Sequence, residues 1–421
     1  MRTQPRESKP PPPRIAEELT IDSLAAGGDG VGRLADGRVV FARLSAPGDR
    51  VRIEAPDPGA SFLKADKVEV LSPSGERVEP PCPVFGRCGG CAWQHISYSN
   101  QAGAKEQILR DAIKRIGKFD DTIPIDFIAS PEAYGYRGRT RLFASSAGIG
   151  YRRHRDHEIE PIESCPVLLP EINRELALLA NKLSSTATDA VSSPVVEWAL
   201  AAGADESVHC VRVGAGAAKP GRDDPRVALR VGQHIVQNSP GGFAQGNALL
   251  FDRLYAAVED SLEGVQPGVL LELFAGAGFF TVGLSMRFKK TVAIESDKQA
   301  VRDLWANLKE RDGANVKIQR ARVEDALPKL ARLQPDAVLL DPPRAGLARG
   351  AAERLAALGA ARIVYLSCDP ATLARDLKII CADPESGRAR YTLDRVTGID
   401  LFPQTPHVEA LAVLNRVADG D

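Results

Sequence analysis

No apolar run in the 421-residue chain approaches the roughly 18 or more residues needed to cross a bilayer as a helix, so a helical membrane protein is excluded. Nor does one sign of charge dominate. Lys and Arg number 54 against 55 Asp and Glu, a formal net charge of −1. That excludes a histone-like surface that grips nucleic acid everywhere, but not a local basic patch. Seven cysteines are too few for a disulfide scaffold of this length. The opening stretch MRTQPRESKPPPPR has charge and proline but no apolar centre, so a secretory signal is not expected. No internal repeat is present, and no GK[ST] marks a P-loop. These absences predict a cytoplasmic protein. In that compartment clustered cysteines more often bind metal or do chemistry than form disulfides.

What is present is ordinary globular material: 44% hydrophobic and 26% charged residues. At roughly 150 residues per domain, the length predicts about three domains. Residues 1–14 are expected to be a disordered tail, since proline and charge build no core. Over residues 15–72 the runs LTIDSL, GRVVFARL, DRVRIEA and DKVEVLS alternate between Gly, Pro and Asp turns, which predicts a small all-β barrel. Residues 97–118 predict a helix with Ile108, Leu109, Ala112, Ile113 and Ile116 along one face. Residues 134–240 mix strands (YRGRTRLFASS, AGIGYRRHR, VHCVRVGAG, RVALRVG) with a helix at ALLANKLSS. From 243 onward, continuous apolar strands such as GVLLELF, KTVAIES, DAVLLDPP and RIVYLSC alternate with helices, which predicts a parallel sheet covered on both faces. The whole is an α/β multidomain chain divided at 15–72, 73–242 and 243–421.

LLELFAGAGFFT reads as a strand ending in Glu272, then a Gly-rich turn and a helix. Gly276 and Gly278 let the backbone come close to a ligand at the helix N-terminus. About 20 residues on, TVAIES ends in Glu295, where an acid can take both hydroxyls of a ribose. The loop is neither a P-loop nor a clean G-x-G-x-x-G. It suits a nucleoside without pyrophosphate, of which S-adenosylmethionine is the obvious one. Asp341 and Cys368 stand at the carboxyl ends of two further strands. Ligands of open α/β sheets sit outside such ends, so Glu272, Glu295, Asp341 and Cys368 should converge on one crevice. Ser367, Asp369 and Pro370 make the surroundings of Cys368 a polar turn rather than a core position.

Cys82, Cys88 and Cys91 form C-x5-C-x2-C, and Cys165 follows in ESCP. Four thiolates suit a [4Fe–4S] cluster or a tetrahedral zinc, although zinc sites more often show two C-x2-C pairs. Cys210 and Cys381 read as buried fillers. Six arginines (137, 139, 141, 152, 153 and 155) lie among Tyr134, Tyr136, Phe143, Tyr151 and His154. Basic groups interleaved with aromatics suit a folded RNA strand, with a solvated sheet edge as the plainer reading.

Taken in order, these motifs resemble the S-adenosylmethionine-dependent RNA uridine-5-methyltransferases, and best the 23S rRNA branch with a TRAM barrel and an iron–sulfur cluster. The matching elements are the cysteine cluster, F-A-Q-G-N at 243–247, L-E-L-F-A-G-A-G at 271–278, D-P-P-R-A-G at 341–346, S-C-D-P at 367–370, and the tail D-L-F-P-Q-T-P-H-V-E at 400–409. The resemblance covers nearly everything after residue 15. It implies an OB-like TRAM barrel, a central iron–sulfur and RNA-binding domain, and a Rossmann-like class I methyltransferase domain. It implies Cys368 as nucleophile and Glu409 as base. Gln245, Phe274, Glu295 and Asp341 would contact the cofactor, and Cys82, Cys88, Cys91 and Cys165 would hold a [4Fe–4S] cluster. Two departures stand out. Phe279 replaces an Asn common in relatives, which implies a lost cofactor hydrogen bond, and DPGASFLKADK is less basic than usual for the barrel.

The chemistry explains why such residues are needed. Uracil C5 is a poor nucleophile until a thiolate adds to C6, and the methylated adduct must then lose its C5 proton to a base before the thiol leaves. A free thiol is only a few per cent ionised at pH 7, so Arg344 or the cationic cofactor must favour the anion. His407 reads as structural rather than catalytic. A tRNA substrate is the alternative, although that branch usually lacks barrel and cluster. A DNA cytosine methyltransferase carries its Cys after the strand that here ends in D-P-P, and a radical methylthiotransferase needs C-x3-C-x2-C. A non-catalytic RNA-binding protein is opposed by the intact Cys368 and Glu409. The expected partner is RNA, with no membrane and nothing to suggest more than a monomer.

Overall fold

The computed structural model describes residues 15–55, 61–186, 195–214, 217, 225–309, 313–382 and 389–418. The tail expected at 1–14 lies outside them. The chain divides into two units. One comprises Met1–Pro81, Cys91–Ala104 and Gln404–Pro406, and the other Cys82–Gly90, Lys105–Pro403 and His407–Asp421.

In the first unit the alternating runs fold as β1 (Ile15–Leu24), β2 (Gly30–Arg33), β3 (Val39–Ala42), β4 (Arg50–Ala55), β5 (Phe62–Ala65) and β6 (Val68–Ser72). They form one sheet in the order β5-β3-β2-β1-β4-β6. The long β1 divides its pairing: Ile15–Thr20 pair with β4, and Ile21, Ser23 and Leu24 pair with β2, with a bulge between Ile21 and Ser23. Splitting one strand between two neighbours curls the sheet around a core of Leu19, Ile21, Val40, Val51, Ile53 and Leu63.

Helix α1 (Tyr98–Arg115) leads into the second unit, followed by β7 (Ile125–Ile128). Strands β8 (Arg139–Ser145), β9 (Gly148–Arg152), β10 (Ile159–Pro161), β11 (Val196–Ala202) and β12 (Val208–Val213) make an antiparallel sheet ordered β10-β9-β8-β11-β12. Its apolar face packs on α2 (Pro170–Thr186) through Leu142, Ile149, Ile172, Leu176 and Leu200. A hairpin of β13 (Val227–Val231) and β14 (His234–Asn238) follows, then α3 (Phe251–Asp260).

The remaining elements are β15 (Val269–Leu273), α4 (Thr281–Leu284), β16 (Lys290–Glu295), α5 (Lys298–Lys309), β17 (Val316–Arg320), α6 (Val323–Ala326), β18 (Ala337–Leu340), α7 (Ala351–Ala357), β19 (Arg362–Ser367), α8 (Pro370–Cys381), β20 (Tyr391–Ile399) and β21 (Glu409–Arg416). With β7 they form an eight-stranded sheet, β17-β16-β15-β18-β19-β21-β20-β7. The strands from β17 to β19 are parallel, as continuous apolar runs predict, but β21 is antiparallel to both its neighbours. Alternate residues feed two cores. Leu271, Leu273, Val338, Leu340, Ile363 and Tyr365 join one, and Leu270, Ala337, Leu339, Val364 and Leu366 join the other. Burial on both faces is why these strands read as unbroken apolar runs. The sequence order reverses between β16 and β18 around β15, which opens a crevice at the carboxyl ends. Among the described residues, no helix is long and apolar enough to cross a membrane.

Leu339 is 1% exposed, in the sheet's second core. Leu339→Ala should cost about 2–5 kcal/mol. Urea unfolding checks this, and a loss below about 1 kcal/mol would mean the core is not packed as described.

Candidate active site

Three strand ends build the site. Beyond β18, Asp341 opens the turn D-P-P-R-A-G, which α8 holds in place. Thr372 Oγ1 donates to the Arg344 carbonyl (3.1 Å), the Arg375 guanidinium to the Ala345 carbonyl (3.0 Å), and Leu347 N–H to Asp376 Oδ2 (2.7 Å). Gly346 supplies the left-handed residue this turn needs, at φ 71°. Beyond β19, Cys368 sits just ahead of α8. There Asp369 caps the helix by accepting from Thr372 N (2.8 Å), with Pro370 in the first turn. The helix that presents Cys368 thus also holds the loop of Arg344. On the other side of β19, Ser367 pairs with Ala410, so Glu409 opens the strand next to the thiol.

The electrostatics show that these groups meet. Burial pushes the Cys368 thiol up to about 11, Glu409 and Asp341 add to the rise, and the Arg344 guanidinium beside it pulls the other way. Burial also holds the Glu409 carboxyl well above the usual carboxylate range, with Asp341 adding and Arg344 opposing. Asp341 is raised to about 6 by burial, partly offset by its hydrogen bond from Gln245 Nε2 (2.9 Å). Glu272, 2% exposed, is raised to about 8 by burial and then by Asp341 and Glu295. Of the four residues expected to converge, Asp341 acts on both Cys368 and Glu272, and Glu295 acts on Glu272. His407 lies edge-on to Phe402 with ring centroids 6.1 Å apart. Burial, with Arg344 and Lys105 nearby, lowers it to about 4, so the imidazole is neutral at pH 7.

Residues suited to a nucleoside cofactor line the start of the same crevice. Glu295 is fixed by accepting from the backbone N–H of Gly276 (2.9 Å), Ser296 (2.6 Å) and Asp297 (2.6 Å). Phe274 adopts φ 62°, a left-handed conformation costing roughly 1–3 kcal/mol for a non-glycine residue, of the kind that clusters at ligand sites. At Gly278, φ 96°, a Cβ would stand 2.6 Å from Leu304 Cδ1, so only glycine fits. Phe279 packs edge-to-face on Phe251 (5.3 Å) and Phe280 (4.9 Å), an apolar role that an Asn would not fill.

Two expected groupings differ. Among the described residues, no group of three or more His, Cys, Asp or Glu is gathered as a metal-binding set. Cys82, Cys88 and Cys165 do sense one another. Cys88 is raised to about 11 by burial, with Cys165 and Cys82 adding, and such mutual repulsion opposes gathering thiolates without a cation. Cys91 belongs to the other unit. The arginine patch is likewise partly committed inside the protein. Arg139 donates to Asn238 Oδ1 and to the Ser239 and Pro240 carbonyls, Arg141 to Glu197 and the Gly241 carbonyl, and Arg153 to Glu158 and Glu160. Tyr136 is buried, and Tyr151 bonds Thr140. Arg141, Arg152 and Arg155 stay exposed.

Comparison with known proteins places this geometry. Residues 226–417 match the family described as tRNA (Uracil-5-)-methyltransferase. An uncharacterized RNA methyltransferase of Streptomyces coelicolor is 34% identical, covering 96% of this chain and 93% of that one. The chain belongs to the RNA uracil-5-methyltransferase family. It is an S-adenosylmethionine-dependent enzyme of that class. An uncharacterized RNA methyltransferase of Synechocystis is 31% identical over 95% of this chain and 96% of its own. The fold is shared with the crystal structure of Pyrococcus abyssi tRNA (uracil-54, C5)-methyltransferase in complex with S-adenosyl-L-homocysteine. That structure has a TM-score of 0.71 and 24% identity, and covers 94% of this chain and 100% of that chain.

The opposing neighbours of Cys368 give a signed prediction. Arg344→Ala removes a cation and should raise the thiol pKa, slowing iodoacetamide alkylation at fixed pH. Glu409→Gln removes an anion and should lower it. Alkylation rates measured against pH check both, and shifts of the same sign in the two variants would contradict the arrangement.

Proposed function

We propose that the enzyme methylates C5 of a specific uridine in 23S rRNA through a covalent bond between Cys368 and C6 of the uracil. The observation that carries the covalent route is the meeting of the half-buried Cys368 with the buried Glu409 and the exposed Arg344 at the carboxyl ends of the parallel strands. S-adenosylmethionine, when bound, supplies a methyl group on a positively charged sulfur. Gln245, Phe274, Glu295 and Asp341 are the residues proposed to hold it. The fixed Glu295 carboxylate and the glycine-only position at 278 support that assignment.

Arg344 draws the thiol toward the anion, and Sγ adds to C6. Electron density at C5 then takes the methyl group. Glu409 removes the C5 proton, the C6–S bond breaks, and the Cys368 thiolate re-forms. A carboxyl whose proton affinity is raised by burial is a better acceptor for that proton than a solvated one.

The curled N-terminal sheet is proposed to act as a TRAM barrel, with domain divisions at 15–72, 73–242 and 243–421. Cys82, Cys88, Cys91 and Cys165 are proposed to bind a [4Fe–4S] cluster. The mutual influence of Cys82, Cys88 and Cys165 supports this. The enzyme is proposed to act in the cytoplasm as a monomer. A tRNA substrate is the second reading, favoured by what the matched family and the Pyrococcus abyssi enzyme are named for. Labelled methyl transfer to unmodified 23S rRNA and to tRNA transcripts decides between them.

Cys368→Ser should abolish transfer while S-adenosylmethionine still binds. Glu409→Gln should leave methylated RNA bonded to the enzyme as a denaturation-resistant adduct with little free product. Release of methylated RNA at the normal rate by Glu409→Gln would give the proton to another group. Protein purified without oxygen should be brown and carry about four irons. Stoichiometric zinc without visible absorbance would replace the cluster assignment.

A further inference from the structure

The carboxylate assigned as base has little to orient it. Glu409 is 3% exposed, and its Oε1 accepts no hydrogen bond. With that oxygen unheld, the carboxylate's placement depends on the backbone that carries it. Across the sheet, Glu409 pairs with Ile399, the last residue of β20, and the next residue is Asp400. Asp400 meets Lys105 at 2.6 Å, and both side chains are 0% exposed.

We propose that the buried Lys105–Asp400 ion pair is a positioning device that fixes the backbone beside Glu409 and so aims the base at C5. This rests on the reading of Glu409 as base. Stability alone does not account for such a pair, since apolar side chains in place of a buried ion pair are often as stable or more so. What apolar side chains cannot do is hold backbone polar groups. Lys105 Nζ also donates to the Phe402 carbonyl (2.9 Å), and Asp400 Oδ1 also accepts from Phe402 N–H (3.2 Å). Both polar groups of one peptide residue are thus gripped by the pair. The same turn is held from elsewhere: Asp400 N–H donates to the Ile128 carbonyl (2.9 Å), Asn247 Nδ2 to the Asp400 carbonyl (3.4 Å), and Tyr136 OH to the Pro403 carbonyl (2.8 Å).

The gripped residue reaches toward the site from both sides. The Phe402 ring stands edge-on to His407, which precedes Glu409 by two residues in the turn's far arm. It also fills the space at Gly246, where a Cβ would lie 2.8 Å from Phe402 Cε1. Gly246 follows Gln245, the partner of Asp341. The sequence carries a signal for this device. Lys105 falls on the same stripe of α1 as the buried Leu109, Ala112 and Ile113, and a lysine on an apolar stripe needs a buried partner.

The test is a double variant, Lys105→Met with Asp400→Leu, which removes both charges together. Three quantities are measured: the S-adenosylmethionine dissociation constant, turnover on RNA, and the fraction of enzyme trapped as methylated RNA adduct. Cofactor affinity should stay within about twofold, turnover should fall roughly ten- to a hundredfold, and adduct should accumulate, because C5 is methylated but its proton is taken slowly. Wild-type turnover without adduct would overturn the proposal. If the double variant does not fold, Tyr136→Phe removes a single hydroxyl from the same turn and should also raise the adduct fraction, and no rise there overturns the proposal. Glu409→Gln runs alongside. If it traps no adduct, the base assignment fails and the positioning role falls with it. If it traps adduct while the double variant turns over normally, the positioning role alone is wrong.

Discussion

Crowded acidic groups are the constraint on which the proposed catalytic centre depends. Asp341 raises the proton affinity of Glu272, Glu409 and the Cys368 thiol, and Glu409 raises that of Cys368 as well. Arg344 acts against that trend on both Cys368 and Glu409. Under the proposed mechanism, a thiol that must ionise and a carboxylate that must accept a proton make opposite demands on one local field. A cation held by a rigid turn, together with a positively charged methyl donor, meets both. On that proposal the hydrogen bonds from Thr372 and Arg375 to the Arg344 and Ala345 carbonyls serve the chemistry, because they fix the backbone that carries the guanidinium.

The sheet makes this crowding affordable. β15, β18 and β19 bury alternate side chains in two separate cores, so their positions are fixed from both faces. The antiparallel β21 inserts between β19 and β20 and delivers Glu409 to the side of Cys368 that the parallel strands leave open.

Much of this was legible in the sequence, for identifiable reasons. Continuous apolar runs announced the parallel strands, and polar turns immediately after them marked Asp341 and Cys368 as site residues. The antiparallel direction of β21 left no such mark, since a buried strand has the same composition in either direction. Strand β7 joins the sheet from far away in sequence, through pairing with β20 that periodicity does not encode. The Lys105–Asp400 pair spans 295 residues. Its only trace was one lysine on an apolar helix stripe. The arginines between 137 and 155 read as an RNA surface because composition reports charge and not burial. Arg139 instead holds the loop that leads to Gln245, and burial lowers its pKa to about 10. For the cysteines, spacing suggested shared ligation, whereas among the described residues the thiols influence one another without assembling a metal-binding group.

The most direct test of the central claim replaces the C5 hydrogen of the target uridine by fluorine. Glu409 cannot remove fluorine as a cation, so the adduct cannot collapse after methyl transfer. Wild-type enzyme, S-adenosylmethionine and RNA containing 5-fluorouridine should give a stable protein–RNA adduct. After nuclease and protease digestion, mass spectrometry should find one methylated fluorouridine nucleotide on the peptide that contains Cys368. Attachment at another residue, or no attachment while ordinary uridine is methylated, would contradict covalent catalysis through Cys368.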